Sequence, residues 1–284
     1  MLTTIQRQTP SSSRATQPRA RGEVRVAARR REGDTALAKL YQAGSAKALF
    51  PRNHQDMAGG ALTAVLLNTA GGITGGDRFA WAARADGGAH LTLSTQTAER
   101  AYRALPGETG QVTTRLTAAA GATLHWLPQE TILYDRAALI RRLDVDLAPD
   151  ATLLAVEPIV FGRHAMGETL GALRFADHWR VRRGGQLVYA DSLRLDGDAA
   201  ATLARPGTLD GAGAMASLLL VSPDAERLLD RLRELLPASA GASCPRAGLL
   251  TARILAPSGF DLRRHLIPML ELLRGGPLPQ VWKI

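Results

Sequence analysis

The sequence has few of the residues on which many binding and catalytic sites depend. Its 284 residues include a single cysteine, Cys244, so one chain can form neither an internal disulfide nor a metal cage of several thiolates. Aromatic residues make up 5% of the chain, which leaves few rings for stacking on nucleic-acid bases. No apolar run approaches the ~20 residues that span a bilayer, and the N-terminus lacks the apolar segment of a secretory signal. These absences predict a cytoplasmic protein without a membrane-spanning segment.

Positive charge is concentrated near the N-terminus. Residues 1–31 hold eight arginines and one acidic residue, whereas the rest of the chain is nearly neutral, although the net charge is +9. A nearly neutral body does not match the basic face that nucleic acids require, so no nucleic-acid partner is expected. Residues 1–21, with two prolines and three consecutive serines, are predicted to form a disordered basic tail. Residues 22–284 are predicted to form a single domain.

The body of the chain has a β pattern, and its last quarter changes character. Between residues 22 and about 210, short apolar or alternating runs are separated by turn residues, which is typical of antiparallel β structure. Residues 211–284 are predicted to form a strand–helix–strand–helix segment whose last helix contains Pro268, where a kink is expected. No internal repeat of fixed period is evident. The predicted strands of the body are 61–67, 78–84, 89–94, 112–116, 123–127, 142–147, 152–156, 173–182 and 187–195.

Residues 68–77, NTAGGITGGD, form the most distinctive segment, called the glycine turn below. Its glycines could cradle a phosphate or could form a tight structural or partner-facing turn. A P-loop needs lysine after its last glycine, but Asp77 stands there, and the following residues alternate like a strand rather than a helix. A structural turn is therefore favoured, with Asn68 and Asp77 bonding to local backbone N–H groups. Its glycines are Gly71, Gly72, Gly75 and Gly76.

Three glutamates are the candidate chemical groups. Glu130 and Glu157 lie beside apolar segments, and Glu168 lies in a glycine-containing segment. Burial would raise the pKa of such a carboxyl group, but pairing with a nearby arginine or a turn amide is an equally open alternative. The six histidines lack the spacing of a zinc site, so no tight metal site is expected, although a weak site of carboxylates and waters stays open. No serine lies in a G-x-S-x-G motif, and no activated nucleophile is evident.

Five segments occur in the order and approximate spacing of one known family. The chain resembles the urease accessory proteins called UreD, or UreH in some lineages, from about residue 22 to its C-terminus. The segments that carry the resemblance are NTAGGITGGD at 68–77, TQTAERAYR at 95–103, LPQETILYDRA at 127–137, FGRHAMGE at 161–168 and DSLRLDG at 191–197.

The resemblance implies a non-enzymatic assembly factor for nickel urease. Members of this family bind apo-urease and, through a UreF-type partner, the GTPase UreG, and a dimer within the accessory complex is compatible with that role. The implied fold is mainly β, a stacked, β-helix-like body with a few helices packed near the C-terminus in an α+β part.

The resemblance also implies how the metal is handled. No cofactor is tightly bound; Ni²⁺ passes in transit through a water-filled internal route, which must hold ions weakly enough to release them. Glu130, Glu157 and Glu168 are the acids expected to line or gate that route, and the glycine turn is expected to shape the body or a partner-facing surface. The alternative is a glycine-loop enzyme that uses Asp77 and Glu130 in acid–base chemistry on a small phosphorylated substrate.

Overall fold

The computed structural model describes residues 18–51, 60–163, 166–168 and 170–283, so residues 1–17 of the predicted tail lie outside the described part. These residues form seventeen strands, three α-helices and a short 3-10 helix at Gln280–Trp282. In chain order the elements are β1 Arg21–Arg31, β2 Asp34–Gly44, β3 Ala46–Leu49, β4 Leu62–Asn68, β5 Arg78–Ala85, β6 His90–Thr95, β7 Glu99–Ala101, β8 Gly110–Ala118, β9 Thr123–Leu127, β10 Thr131–Leu133, β11 Ala138–Leu147, β12 Thr152–Phe161, β13 Ala172–Arg183, β14 Gln186–Asp198, α1 Ala199–Leu203, β15 Ala214–Val221, α2 Ala225–Glu234, β16 Ala240–Arg246, β17 Leu249–Ala256 and α3 Gly259–Arg274.

The strands form two stacked sheets. The first sheet has seven strands in the order β14-β13-β11-β8-β5-β1-β2. The second has the order β16-β17-β15-β12-β9-β6-β4-β3, with β7 and β10 attached beside β12. Consecutive strands from β5 to β12 alternate between the sheets, apart from the short β7 and β10, so each pair of long strands makes one coil of a solenoid. The predicted β-helix-like body with a few helices near the C-terminus is confirmed.

The prediction of antiparallel pairing is wrong for the centre of both sheets. β5, β8, β11 and β13 are parallel neighbours, as are β6, β9 and β12. A sequence of short strands separated by turn residues is compatible with two arrangements. The turn can join neighbouring strands of one sheet, or it can join two strands that lie in different, stacked sheets. Here the turns stack, since Thr123 N–H donates to Ala89 O and Thr152 N–H donates to Ala122 O. Antiparallel pairing is found at the edges, for example between β13 and β14.

A repeat is also present that the sequence did not reveal. Successive coils begin at Arg78, Gly110 and Ala138. Connectors of different length and content separate them, and this irregularity hides the period in the sequence. Strands β1 and β2 were not predicted either, although both lie, apart from Arg21, within the residues predicted to form the folded domain.

The arginine-rich segment is part of the body rather than a tail. In β1, Val24, Val26 and Ala28 are buried and alternate with exposed or half-buried residues that include Arg25. The strand pairs in parallel with β5 and antiparallel with β2. Most of the N-terminal positive charge therefore lies on the folded body, which corrects the expectation of a nearly neutral body.

The second sheet separates two apolar cores. The larger core lies between the sheets and includes Leu93, Leu116 and Leu143. The smaller lies between the second sheet and the helices α2 and α3, and includes Trp282. Inward-facing residues alternate with outward-facing ones in the first sheet, whereas the second sheet is buried on both faces, as expected for a sheet covered on both sides.

The C-terminal helices form close to the predicted positions. Ser258 caps α3, its hydroxyl accepting a hydrogen bond from Asp261 N–H, and Gly275 ends the helix in the left-handed conformation. The assigned helix continues through Pro268. Among the described residues, no helix is long and apolar enough to cross a membrane.

We expect Leu143→Ala to lower the free energy of unfolding by about 2–5 kcal/mol, because it removes a fully buried side chain between the sheets and leaves a cavity. Urea denaturation measures the change. Leu187→Ala, at a side chain 52% exposed on β14, is the matched control and should change it by about 0.5 kcal/mol or less. Equal effects of the two substitutions would contradict this description of the core.

Candidate functional site

Four of the five distinctive segments meet at one end of the solenoid. The short turns such as 119–122 lie at one end of the coils, and the long connectors lie at the other. At that second end Ile73 of the glycine turn bridges to Ala101, β7 pairs with β10, and β10 pairs with β12. We call this the connector end, comprising residues 68–77, 95–103, 127–137 and 161–163. The fifth segment, 191–197, lies on β14 at the edge of the first sheet.

Asn68 connects the glycine turn to a neighbouring connector. Its side-chain amide donates hydrogen bonds to Gly72 O at 3.0 Å and to both carboxylate oxygens of Glu99 at 3.2 Å. Its carbonyl oxygen accepts from Ala70 N–H at 2.9 Å. The side chain thus holds the shape of the turn and also positions an acid of the connector end.

Asp77 closes the other end of the glycine turn. It is buried, and its two carboxylate oxygens accept separate backbone N–H bonds, from Ala20 at 2.7 Å and from Thr74 at 2.8 Å. Both Asn68 and Asp77 thus make the local backbone bonds that a structural turn requires. No oxygen of Asp77 is left without a donor in this arrangement.

Gly72 is required for close packing. Its φ of 153° lies at the edge of the range that L side chains rarely adopt, and an added Cβ would lie 2.3 Å from the ring of Tyr102. The Tyr102 hydroxyl in turn donates to Gly71 O at 3.2 Å. Gly72 therefore lets the glycine turn and the connector that contains Tyr102 approach each other closely.

A cavity of about 150 Å³ lies between the sheets at the connector end. It opens to solvent beside the glycine turn, where lining residues such as Gly71, Gln96 and Thr97 are exposed. Its apolar walls include Trp81, Trp126 and Leu139. The polar residues that line it are Asn68, Thr95, Gln96, Thr97, Glu99, Arg100, Thr114, Gln129, Thr131, Arg141, Glu157 and Asp177, and the exposed Arg142 borders it while its side chain lies on the outer side of the strand.

Arg141 is the centre of a buried ion-pair cluster in this cavity. Its guanidinium lies 2.6 Å from Glu157 Oε2 and 2.7 Å from Asp177 Oδ2, and it donates to Thr131 Oγ1 at 2.8 Å. Glu157 also accepts the Trp126 indole N–H at 2.8 Å. Burial raises the pKa of Glu157 to about 6, with Arg141 opposing the shift and Asp177 adding to it. Glu157 and Asp177 therefore share the one buried guanidinium of Arg141.

Glu99 is an acid that sequence reasoning missed. Burial raises its pKa to about 7, against the lowering effects of the Asn68 amide and of the Arg100 N–H and charge, while nearby Asp77 adds to the rise. Its position in TQTAERAYR, between polar residues, gave no sign of burial. Asp177 and Arg141 were missed for a related reason, because each occupies an inward-facing position of a strand rich in charged residues.

Of the three predicted acids, only Glu157 lines the cavity. Glu130 follows Gln129, a lining residue, but its carboxylate lies 3.5 Å from Arg263 of α3. The Glu168 carboxylate lies 3.0 Å from the Arg163 guanidinium and accepts a hydrogen bond from the Arg163 backbone N–H at 2.9 Å. These interactions lower the pKa of Glu168. Both acids lie at or beside the connector end, each paired with an arginine.

The described histidines do not assemble a metal centre. His90 Nε2 lies 3.5 Å from His125 Nδ1, and burial together with the charges of His90 and Arg274 lowers the pKa of His125. No group of three or more histidine, cysteine, aspartate or glutamate side chains suited to a metal occurs within the described ranges. His54 and His164 lie outside those ranges.

Comparison with known proteins identifies what the chain is similar to. Residues 20–283 match the sequence model of a family described as UreD urease accessory protein. A urease accessory protein UreD of Ruegeria pomeroyi is 52% identical over 250 residues, covering 88% of this chain and 96% of the relative. Proteins of the same name from Ruegeria sp. strain TM1040 and Rhizobium etli are 51% and 46% identical, covering 94% and 95% of this chain and 91% and 98% of the relatives.

We expect Asp77→Ala to lower the free energy of unfolding by about 2 kcal/mol or more, because it leaves the N–H groups of Ala20 and Thr74 without their acceptor. Urea denaturation checks the value. Asp230→Ala, at a side chain 91% exposed on α2, is the control and should have little effect. A neutral Asp77→Ala would show that the turn does not depend on this carboxylate.

The pKa of Glu99 predicts how stability depends on pH. A carboxyl group whose pKa rises from 4.5 unfolded to about 7 folded stabilises the protein most below pH 4.5, and this contribution is lost as pH rises through 7. The glutamine of the Glu99→Gln variant does not titrate. The unfolding free energy of this variant should therefore fall less between pH 5 and pH 8 than that of the wild type. Urea denaturation at both values tests this, and identical pH dependences would disprove the assignment.

Proposed function

The chain belongs to the UreD family of urease accessory proteins, and we propose that it is a cytoplasmic scaffold of urease maturation. In this role it binds apo-urease, couples it to the UreF–UreG GTPase module, and helps to deliver Ni²⁺ to the urease active site. A dimer within the accessory complex belongs to the same proposal. The family is one of accessory proteins rather than of catalysts.

The observation that best supports nickel delivery is the acidic cavity at the connector end. Carboxylate, amide and hydroxyl oxygens of Glu99, Asn68 and Thr131 are among its lining groups. Such oxygen ligands can replace waters around a divalent cation without the softer, tighter ligation of thiolates or clustered imidazoles. The cavity is therefore suited to a cation that is cargo rather than a resident cofactor.

The charge balance inside the cavity favours transit over retention. Glu157 and Asp177 share the single charge of Arg141, so their three charges sum to about one negative charge. A buried guanidinium also repels a nearby cation, which limits how strongly the acids hold it. Glu99 adds a carboxylate that is partly protonated near neutral pH, because its pKa is about 7.

The other predicted groups have places in this proposal. Glu130 and Glu168 lie in connectors near the cavity and are proposed to gate it, exchanging their arginine partners Arg263 and Arg163 for the cation. The glycine turn shapes the mouth of the cavity through Asn68 and Gly71. The exposed side chains of Tyr102, Leu105 and Met166 give the same region an apolar surface to which a protein partner can bind.

The alternative of a glycine-loop enzyme is weakened by the same geometry. Both oxygens of Asp77 accept backbone N–H bonds, and Glu130 lies beside Arg263, so neither acid is placed as an available base. Calorimetry with nucleotides and sugar phosphates would distinguish the two functions. Measurable binding to the isolated protein would favour the enzyme.

We expect Glu157→Leu to lower urease activity in cells several-fold while partner binding is kept, since it removes an oxygen ligand from the cavity. Glu157→Gln tests the charge alone, because its amide oxygen can still accept the Trp126 N–H. The control is Glu234→Leu at an exposed position of α2. Nickel content of purified urease and pull-down of the partners are the measurements, and the same assays apply to Glu130→Leu and Glu168→Leu.

Loss of the partner complex in the Glu157 variants would indicate a structural role instead. The overall function is tested by deleting the gene, which should leave urease protein present but without nickel. Urease with its normal nickel content in the deletion strain would contradict the proposal.

A further inference from the structure

The two sheets differ in how their outer faces are covered. The outer face of the second sheet packs against α2 and α3. The buried residues of the short helix α1, Ala199 and Leu203, belong to the core between the sheets, so no long helix packs on the outer face of the first sheet among the described residues. Strand after strand, its outward-facing residues are exposed or half-buried while their neighbours are buried. A broad β surface is therefore open to solvent.

Arginines occupy neighbouring positions across this open face. One cross-strand row runs Arg25, Ala82, Arg115, Asp144 and Arg180. Neighbouring strands are separated by about 4.8 Å, so charged side chains of one row lie close enough to act together on one partner. The two adjacent rows add Arg84, Arg142 and Arg182, and the next row beyond Ala80 adds Arg78.

Several of these arginines are not neutralised by the protein itself. Arg25 and Arg84 have acidic partners, Glu23 and Asp86. By contrast, Arg78 and Arg115, like Arg142 and Arg180, make no ion pair within the part of the chain that the structure describes. Their guanidinium groups are therefore available to carboxylates from outside.

The face also contains a depression that fits an extended segment. A groove of about 360 Å³ lies over β1, β5 and β8, and its charged lining residues are Arg21, Arg78, Arg115 and Glu23. Glu23 is paired with Arg25, so the three arginines remain in excess. Ala80, whose side chain is short, lies between these arginines and leaves room for the backbone of a partner. Guanidinium groups can bind carboxylates through two parallel hydrogen bonds, which gives arginine an advantage over lysine at such a site.

We infer that this groove, the sheet-face groove lined by Arg21, Arg78 and Arg115, binds an acidic segment of a protein partner. The inference rests on the proposed function, because it assigns one surface of the scaffold to one of its protein partners. A protein is favoured over a nucleic acid because Asp144 and Asp146 interrupt the arginines of this face, and such an interrupted array suits the separate carboxylates of a short segment better than a continuous chain of phosphates. The groove lies on the outer face of the first sheet, next to the connector end, since Arg78 directly follows Asp77 of the glycine turn.

The test is charge reversal in the full-length chain, co-expressed with urease and the other accessory proteins. Arg78→Glu/Arg115→Glu should reduce the recovery of one partner at least about tenfold in a pull-down, because attraction becomes repulsion. Arg227→Glu/Arg231→Glu on α2 makes the same change of charge elsewhere and should leave recovery unchanged. Arg78→Lys/Arg115→Lys keeps the charge and should restore most of the binding.

The outcomes separate this inference from the proposed function. If the wild-type chain recovers neither urease nor accessory proteins, the proposed scaffold role fails. If the wild type recovers them and the reversed variant recovers equal amounts, only the sheet-face groove is disproved. Loss of recovery after nuclease treatment would identify a nucleic acid as the bound molecule and would also overturn the inference.

Discussion

The buried guanidinium of Arg141 connects the two sheets, and the polar interior of the protein depends on it. Arg141 and Asp177 belong to the first sheet, whereas Glu157 belongs to the second, so the Arg141–Glu157 ion pair crosses the gap between the sheets and the Arg141–Asp177 pair lies within the first sheet. Leaving any of these charges buried alone would cost several kcal/mol, so the three must occur together. Their presence prevents apolar side chains from filling this end, and a cavity results.

The glycine turn and the cavity form one structural unit. Asn68 holds both Gly72 of the turn and Glu99 of the next connector, while the missing side chain of Gly72 makes room for Tyr102. The residues that give the chain its most distinctive segment therefore shape the mouth of an acidic interior. This architectural role explains why a phosphate-binding function did not fit the turn.

Buried carboxylates are concentrated inside the solenoid, and arginines without ion-pair partners among the described residues are concentrated on the outer face of the first sheet. The cavity contains Glu99, Glu157 and Asp177 around one buried arginine, whereas the outer face of the first sheet presents arginines without internal partners. In the proposed function, these are separate surfaces for a metal cargo and for a protein partner. Both result from the alternation of β-strands, because successive residues of one strand point to opposite faces.

The sequence by itself determined the positions of the longer strands after residue 60, the two ends of α3 and the identity of the family. Local patterns suffice for these features, since Ser258 and Gly275 specify caps and alternating residues specify strands. Glu157 was also found from its apolar surroundings. Only the tertiary structure decided that the central strands are parallel, that the arginines of β1 lie on a folded face, and that Arg141, Asp177 and Glu99 line the same cavity as Glu157. These facts depend on which coil stacks on which, and contacts between residues far apart in the chain leave no local signal.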